Sequence, residues 1–318
     1  MHPNRVRFTM NAIAENIVNE IVVPKILSEE QIKFFVEEGY LIVEDLINKE
    51  ELDELKQDVV NFAHGKYPSK NIEEFSKGKT KSEVLKEILC IHQTHYISEI
   101  SKKYVEHPKI CGALSQIVGA HLPFWDGSVK CCQSMMFVKH PGLPGQAWHQ
   151  DECYIPTRDR TLTGAWIAID DADEDNGSLY VLPKSHRDGY LYPMRPNTNP
   201  EEFDFAPECY GFDDTKKVPV VVKAGAVVFF NGYLMHRSSK NRSDKSRRVL
   251  VNHYLNSYSH LPWNKQEDTS VALSDVRKIV PVSGVDPYAW KGIDENNCND
   301  VSLRGYNKPD ALEGSKKS

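Results

Sequence analysis

A change of hydrophobic period near Ser128 constrains the fold of this chain more than any other feature. Before it, apolar residues recur at helical spacing; after it, short apolar runs of period two alternate with Pro-Gly and Asn-Gly turns. Evenly spaced short strands of this kind indicate two packed sheets or a barrel. The candidate strands are 128–138, 146–152, 162–170, 178–182, 218–223, 226–230 and 247–255.

The part of the chain before this change is predicted to be an arm followed by a layer of helices. Residues 1–27 show no clear periodicity and are assigned to an N-terminal arm. Capping signals predict helices that begin after Ser28 and Asn48 and carry an apolar stripe. We expect residues 28–120 to form a helical layer against the sheets, and we assign these helices no chemistry.

The strands are predicted to form the core of a single domain that spans residues 28–265, with the core itself at 128–255. The insert 187–217 is rich in proline and acidic residues, has no clear place in this core, and is interpreted as a lid. Residues 266–318 are interpreted as a loop-rich C-terminal extension, and its Lys- and Ser-rich end predicts a disordered tail.

Composition argues against several classes of partner. The net charge of −6 does not provide the basic surface that a nucleic-acid or anionic-membrane partner requires. No run approaches the roughly 18 apolar residues of a transmembrane helix. The seven cysteines include no C-x-x-C pair, which is typical of reduced thiols, and we predict a cytoplasmic protein. Composition specifies no oligomeric state.

Two pairs of the form His-x-Asp occur, and their surroundings distinguish them. The pattern alone is weak, because 12 histidines and 45 acids in 318 residues give about two such pairs by chance. His149 and Asp151 lie in a candidate strand, where residues i and i+2 point to the same face. They would supply two ligands of the 2-His-1-carboxylate triad that holds non-haem Fe(II). His186 lies in a turn bounded by Pro and Gly, and we interpret it as a structural, hydrogen-bonded residue.

A third ligand and a cation follow downstream. His236 comes after a buried strand and an Asn-Gly turn, and a polar loop then returns as a strand at Arg247 and Arg248. A strand, a loop and a returning strand bring His236 and the two arginines to the same end of a hairpin. The joint pattern favours His236 as a metal ligand over a loop histidine that only forms hydrogen bonds.

These segments resemble the phytanoyl-CoA dioxygenase family of Fe(II)- and 2-oxoglutarate-dependent oxygenases, in particular its poorly characterised microbial members. The spacing of eleven residues from His236 to Arg247 equals the family's spacing between its distal histidine and its cosubstrate arginine. The resemblance covers most of residues 28–265. It implies a mainly β fold with flanking α-helices, built on a double-stranded β-helix (a cupin-like jelly-roll). The matching segments are 133–139, 148–151, 176–186 and 236–247.

The resemblance also implies the reaction. His149, Asp151 and His236 would hold Fe(II), and 2-oxoglutarate would chelate the metal through its keto and C1 carboxylate oxygens. Substrate binding would admit O2, and oxidative decarboxylation to succinate and CO2 would drive hydrogen abstraction from an unactivated carbon of a small molecule. The carboxylate of Asp151 is intact, whereas iron halogenases that resemble the family have a small residue there. Hydroxylation, or a related desaturation or epimerisation, is therefore preferred.

Four further residues are implied to bind the cosubstrate. The C5 carboxylate of 2-oxoglutarate must leave water, which is costly without a partner, and a planar guanidinium offers a bidentate one. Arg247 takes that role, whereas Arg248 on the opposite strand face fits a surface salt bridge. Ser238 resembles the family's hydroxyl near the cosubstrate. Trp166 and Met136 resemble positions that pack around it, with plain core packing as the alternative for both.

Substrate recognition depends on less specific signals. The segment from Tyr154 to Arg160 follows the triad pair directly and must lie near the mouth of the site. Arg158 or Arg160 could bind an acidic group of the substrate, such as a carboxylate or phosphate, or Arg158 with Asp159 could only brace the loop. His92 is a further candidate for substrate contact, because its region lines the mouth of the site in relatives.

Two other classes of function are compatible with this kind of fold. One is a catalytically silent jelly-roll that binds a ligand or metal, and the other is a cupin-like metal-dependent isomerase or hydrolase. A silent protein has no chemical need for all of His149, Asp151, His236 and Arg247. An isomerase does not need Arg247 at the matching spacing. Dependence on 2-oxoglutarate separates the three.

Overall fold

The computed structural model describes residues 20–260, 275–296 and 300–305. Most of the predicted N-terminal arm and the predicted disordered tail lie outside the described residues. The described chain combines a helical layer with antiparallel sheets, and most of the strands follow Ser128, as the change of hydrophobic period predicts. Two strands, Tyr40–Val43 and Ile88–His92, lie within the predicted helical layer 28–120, so that layer is not purely helical. Among the described residues, every helix is too short or too polar to cross a lipid bilayer.

Six helices precede the main strands in the described chain. The first two begin at capping boxes, as predicted: the side chain of Ser28 accepts a hydrogen bond from the N–H of Gln31, and that of Asn48 from the N–H of Glu51. The first helix ends at Gly39, whose φ of 85° lies in the left-handed region that glycine tolerates. The helices are α1 Glu29–Glu38, α2 Lys49–Ala63, α3 Lys70–Ser76, α4 Lys81–Glu87, α5 Glu99–Val105 and α6 Pro108–Ile117.

The described strands number thirteen. They are β1 Tyr40–Val43, β2 Ile88–His92, β3 Val129–Lys139, β4 Thr163–Ala168, β5 Leu179–Val181, β6 Met194–Arg195, β7 Glu208–Cys209, β8 Val218–Val220, β9 Val227–Asn231, β10 His236–Ser238, β11 Arg247–Asn256, β12 Val280–Ser283 and β13 Ser302–Gly305. A large sheet has the order β1-β9-β4-β11-β3-β2-β13, and β12 also pairs with β3. A small sheet has the order β10-β5-β8, and β6 and β7 form a hairpin.

The large sheet is buried on both faces. One face packs on the helices, where Phe62 and Leu114 share a core cluster with Leu250. The other face packs on the small sheet, where Trp166 and Val251 share a second cluster with residues of β5 and β8. Side chains alternate between faces along a strand. On β11, the odd-numbered residues from Arg247 to Val251 therefore face the small sheet, and Arg248 and Leu250 face away from it.

The predicted strand 146–152 is wrong. His149 forms an isolated antiparallel bridge with His236, and Asp151 already opens a 3-10 turn, Asp151–Cys153. The carbonyl oxygen of Asp151 accepts the N–H groups of Tyr154 and Ile155 at 2.9 and 3.0 Å, so the turn uses the backbone bonds that a strand would need. Hydrophobic periodicity in the sequence cannot reveal this turn, because a short extended segment that leads into a turn has the same pattern as a strand.

The C-terminal extension contributes two strands to the large sheet, which the sequence did not predict. β12 pairs with β3, and β13 pairs with β2. Each strand has only four residues, and its pairing is set by contacts with distant parts of the chain. The insert 187–217 contains the β6–β7 hairpin and lies along the segment before the first metal-ligand candidate: the N–H of Cys209 donates to the carbonyl of Trp148 at 2.7 Å.

Candidate metal and cosubstrate site

Three side chains converge between the two sheets. The Oδ1 atom of Asp151 lies 3.7 Å from Nε2 of His149 and 3.7 Å from Nε2 of His236. One ligand atom from each residue lies within 4.8 Å of the others, and all three residues are buried. Two imidazole nitrogens and one carboxylate oxygen on one side of a shared centre form the donor set of the facial triad. The structure thus brings together the three residues that the sequence selects.

The two histidines face each other because their backbones are paired. The N–H of His149 donates to the carbonyl of His236 at 3.0 Å, and the reciprocal bond is 3.1 Å. Residues directly opposite each other in an antiparallel pair present their side chains on the same face. The imidazole rings are consequently 4.1 Å apart, measured between centroids.

Hydrogen bonds from the far side fix both rings. Nδ1 of His149 lies 2.7 Å from the carbonyl oxygen of Ala147, and Nδ1 of His236 lies 2.9 Å from that of Leu234. In the tautomer protonated at Nδ1, each ring donates to its carbonyl and leaves its Nε2 lone pair free for a metal. The two rings are therefore preset as ligands.

Sequence reasoning missed His253, which lies 3.0 Å (Nε2) from the Oδ2 atom of Asp151. This contact occupies one carboxylate oxygen and leaves Oδ1 directed at the shared centre. Such outer partners orient metal ligands and tune their affinity. The sequence offered one signal: Arg247 and His253 are six residues apart, and an even spacing places both on the same face of β11. The sequence of the strand does not indicate that Asp151 lies opposite His253.

The electrostatics of the site suit a cation. Burial and, to a lesser extent, the neighbouring His236 lower the pKa of His149 to about 3, so this imidazole is neutral at neutral pH. Burial alone would raise the pKa of Asp151, but the imidazoles of His236 and His253 outweigh it and hold that pKa below its usual range. Neutral imidazoles and an ionised carboxylate are the protonation states that metal binding requires.

Arg247 is a buried cation without an acidic partner. It is 2% exposed, and among the described residues no carboxylate lies within 4 Å of its guanidinium. One nitrogen donates to the carbonyl of Gly177 at 2.9 Å, but the buried Nε has no partner. Burial lowers its pKa to about 10, so the group is still charged at neutral pH. A buried charge of this kind calls for an anionic ligand.

Arg248 behaves as predicted. It points to the other face of β11 and forms two bonds to the carboxylate of Asp170, at 2.7 and 2.8 Å. Adjacent arginines therefore have separate tasks, and only Arg247 faces the space between the sheets.

The remaining cosubstrate candidates divide by face. Trp166 packs in the cluster between the sheets, and its ring centroid is 5.4 Å from the guanidinium carbon of Arg247. Ser238 lies two residues after His236, and its Oγ accepts a bond from the N–H of Gln146 at 3.0 Å. Met136 is a correction: it pairs with Leu250 and packs against the helices, on the face turned away from the site.

Met135 and Phe137 face the site in place of Met136. They pair with Val251 and Val249 and pack against the cluster between the sheets. A shift of one residue moves a side chain to the opposite face of a strand. Because Met135, Met136 and Phe137 are all apolar, the sequence offers no polar alternation at these positions from which to choose.

The substrate candidates differ in how closely they lie to the triad. Tyr154 is 45% exposed, and its ring centroid lies 6.4 Å from that of His149. His92 pairs with Met135 and therefore belongs to the row that faces the site. The guanidinium carbon of Arg160 lies 5.8 Å from the ring centroid of Tyr233. The structure thus places Tyr154 beside His149, His92 on the face of the large sheet that is turned toward the small sheet, and Arg160 beside the loop that precedes His236.

The loop-bracing interpretation of Arg158 with Asp159 needs correction. Asp159 accepts bonds from the Thr161 hydroxyl at 2.7 Å and from the side chain of Asn256 at 3.1 Å. Arg158 and Arg160 are both exposed with left-handed φ values of 64° and 62°, and neither forms a salt bridge within the described residues. Asp159 braces the loop without them.

The residue between the two ligands of the His-x-Asp pair has a structural task. The buried side chain of Gln150 donates to the carbonyls of Tyr190 and Tyr233 at 2.9 and 2.8 Å. Its Oε1 accepts the N–H of Tyr192 at 2.9 Å. Gln150 therefore ties the start of the insert to the triad segment, a role that the sequence pattern did not indicate.

The second His-x-Asp pair is structural, as predicted. Nε2 of His186 lies 3.0 Å from the carbonyl oxygen of Val36, beside Gly39 at the end of α1. His95 is another buried histidine with a structural role: its ring nitrogens lie 2.6 Å from the Ser134 hydroxyl and 3.2 Å from the carbonyl of Lys278.

Comparisons with known proteins agree with this geometry. Residues 35–249 match the family model described as phytanoyl-CoA dioxygenase. A zebrafish (Danio rerio) protein, phytanoyl-CoA dioxygenase domain-containing protein 1, is 28% identical over 277 residues, which cover 73% of this chain and 91% of the relative.

Two solved structures of similar fold are also informative. SnoK, a non-heme alpha-ketoglutarate-dependent carbocyclase from nogalamycin biosynthesis, has a TM-score of 0.57 at 21% identity, covering 79% of this chain and 92% of its own. EctD from S. alaskensis, whose structure holds 2-oxoglutarate and 5-hydroxyectoine, has a TM-score of 0.57 at 18% identity, covering 77% and 82%.

Proposed function

Because the chain belongs to the phytanoyl-CoA dioxygenase family and is therefore an Fe(II)- and 2-oxoglutarate-dependent oxygenase, we propose that it hydroxylates an unactivated carbon of a small-molecule substrate. Succinate and CO2 would be the co-products. The observation that carries this proposal is the pairing of the His149, Asp151 and His236 triad with a buried, carboxylate-free Arg247 on the same side of the large sheet.

The fold proposal is a double-stranded β-helix core. The two antiparallel sheets enclose a shared apolar cluster, and the triad lies at its edge. The likeness to SnoK and EctD supports this assignment. We propose that residues 28–265 form one domain, completed by β12 and β13 of the extension, with the insert covering the triad segment.

Each residue of the proposed site has a distinct task. Bound Fe(II) and 2-oxoglutarate would supply the oxidising chemistry, namely oxidative decarboxylation coupled to O2 activation. His149, Asp151 and His236 would hold the metal, and His253 keeps Oδ1 of Asp151 directed at the centre that the three ligands share. Arg247 would receive the C5 carboxylate of 2-oxoglutarate, which would give its unpaired Nε an acceptor.

The cosubstrate is further enclosed by Ser238 and Trp166. Trp166 excludes water from the carboxylate and the guanidinium, because its ring packs beside Arg247. Removal of water strengthens the charge-assisted bonds to the carboxylate. The intact Asp151 favours hydroxylation; desaturation and epimerisation are related outcomes of the same hydrogen abstraction.

We propose that the substrate carries an acidic group. Tyr154 lies beside His149, His92 belongs to the strand face turned toward the small sheet, and Arg160 supplies a cation without a salt-bridge partner among the described residues. The net charge of −6 argues against nucleic-acid and membrane partners. The six cysteines in the described chain are free, which supports a reducing compartment, and we propose the cytoplasm.

Product formation tests the proposed reaction. The Fe(II)-loaded protein is incubated in air with 2-oxoglutarate and a panel of small carboxylates and phosphate esters, with Asp151→Ala as the control. We expect succinate release to rise with one chemical class, together with a product one oxygen atom heavier. The proposal would be contradicted if the wild-type protein released no more succinate than Asp151→Ala, both with each member of the panel and in the absence of substrate.

A further inference from the structure

Arg247 does not stand alone: a second buried cation lies beside it. Lys139, at the end of β3, is the register partner of Arg247 at the start of β11, so the two side chains share the face toward the small sheet. Lys139 is only 4% exposed. Among the described residues, no carboxylate lies within 4 Å of its ammonium group, as for Arg247. Two adjacent buried positive charges repel each other unless an anion lies between them.

The ammonium group of Lys139 has three neutral acceptors. It donates to the Oγ of Ser238 at 2.9 Å, to the carbonyl of Ser239 at 2.7 Å and to the carbonyl of Gly177 at 3.3 Å. The carbonyl of Gly177 also accepts from Arg247 at 2.9 Å. One backbone carbonyl thus joins the two cations and fixes their separation.

These contacts determine what the hydroxyl of Ser238 can do. A hydroxyl oxygen has two acceptor positions and one hydrogen. The Lys139 ammonium occupies one acceptor position, and the N–H of Gln146, at 3.0 Å, occupies the other. The hydrogen of Ser238 is left to donate, so this hydroxyl can offer a ligand a hydrogen bond but cannot accept one from it.

We propose that Lys139 is a positioning residue for the terminal carboxylate of the 2-oxo acid cosubstrate. It orients the Ser238 hydroxyl as a donor, fixes Arg247 through the carbonyl of Gly177, and adds a second positive charge to the pocket. The inference rests on the proposed function of the site. Its consequence is selectivity: the pocket should favour 2-oxo acids that carry a second carboxylate. Burial and the charge of Arg247 lower the pKa of Lys139, as expected for a cation whose counter-anion is a ligand.

Two ligands of equal chain length separate this role from general binding. 2-Oxoglutarate and 2-oxopentanoate chelate the metal in the same way, but the second has a methyl group in place of the terminal carboxylate. Their dissociation constants are measured by anaerobic titration of the Fe(II)-loaded protein and its variants. In Lys139→Met we expect 2-oxoglutarate to bind about 10- to 100-fold more weakly, the equivalent of one lost charge-assisted bond. The affinity for 2-oxopentanoate should change by less than about 3-fold, since it lacks the terminal carboxylate that Lys139 helps to position.

Ser238→Ala tests the route through the hydroxyl. It should also weaken 2-oxoglutarate selectively, and the double variant Lys139→Met/Ser238→Ala should lose less than the sum of the two single changes. Lys139→Arg keeps the charge but not the compact three-donor geometry, so it should fall between wild type and Lys139→Met.

Lys130→Met is the matched control. Lys130 is a buried lysine on the same strand, but its ammonium pairs with Asp286 at 3.2 Å, far along the strand from Arg247. We expect a lower melting temperature and an unchanged preference for 2-oxoglutarate.

The outcomes are distinct. Wild-type affinity for 2-oxoglutarate in Lys139→Met, or equal losses for both oxo acids, would overturn the role of Lys139. Should Lys139→Met fail to fold, Lys139→Arg and Ser238→Ala decide the question by the same selectivity. A wild-type protein that binds Fe(II) but neither oxo acid would instead overturn the proposed function.

Discussion

We predict that the contact between His253 and Asp151 increases the affinity of the site for Fe(II). The Nε2 of His253 is the partner of the Asp151 Oδ2 atom at 3.0 Å, and both residues are buried. In His253→Ala this carboxylate oxygen loses its partner inside the protein. Leaving a buried acceptor without a partner costs about 1–3 kcal/mol of free energy. The carboxylate can then rotate away from the position in which Oδ1 faces both histidines.

The expected loss in metal affinity follows from that energy. At about 1.4 kcal/mol per decade, 1–3 kcal/mol corresponds to a dissociation constant for Fe(II) raised roughly 5- to 150-fold. This agrees with the roughly 10- to 100-fold effect of removing an outer-shell partner. His253→Gln, whose amide is a donor of similar reach, should recover part of the loss.

Competition with a chromophoric chelator under anaerobic conditions measures the affinity. His95→Ala is the control, because His95 is a buried histidine whose partners, Ser134 and Lys278, lie outside the triad. It should destabilise the fold and leave Fe(II) affinity within about 3-fold of wild type. Wild-type Fe(II) affinity in His253→Ala would refute the idea that this imidazole orients the carboxylate.

Three further predictions concern the backbone, pH and the substrate. Gly177 has a φ of 81°, and a Cβ there would collide with the Ser239 carbonyl; Gly177→Ala should lower the unfolding free energy by about 1–3 kcal/mol in a denaturant titration, and an unchanged midpoint would contradict this. Burial lowers the pKa of His95 from 6.5 to about 4, so the unfolded chain binds this proton before the folded chain does as the pH falls. The unfolding free energy should therefore decline by up to about 3 kcal/mol between about pH 6.5 and 4, and His95→Gln should reduce this pH dependence in melting experiments. Arg160→Ala should raise the substrate KM about 10-fold or more while substrate-free 2-oxoglutarate turnover stays constant; unchanged substrate kinetics would remove Arg160 from the recognition site.

Local spacing explains what the sequence could predict. The His-x-Asp pair and the spacing from His236 to Arg247 depend on short segments, and the capping boxes of α1 and α2 each depend on two residues three positions apart. The change in period near Ser128 separated the helices from most of the strands, although β1 and β2 lie before it. These features depend on few contacts with distant parts of the chain.

Register explains what the sequence could not predict. Met135 and Met136 differ by one position, and only the pairing of β3 with β11 decides which of them faces the site. The roles of His253 and Lys139 depend on partners about 100 residues away, Asp151 and Ser238. Strands that are buried on both faces lack a regular alternation of polar and apolar residues. The partners of His253 and Lys139 can therefore be identified only in the folded structure.

Binding of 2-oxoglutarate to the metal, with Arg247 as its anchor, is the central claim. The most direct measurement is the visible spectrum of the anaerobic Fe(II)-loaded protein during titration with 2-oxoglutarate, for wild type and Arg247→Ala. We predict a metal-to-ligand charge-transfer band in the wild type. The variant should need roughly 100- to 1,000-fold more 2-oxoglutarate, since two charge-assisted bonds are lost. No band in a wild-type protein shown to hold Fe(II), or equal titration curves for the two proteins, would contradict the claim.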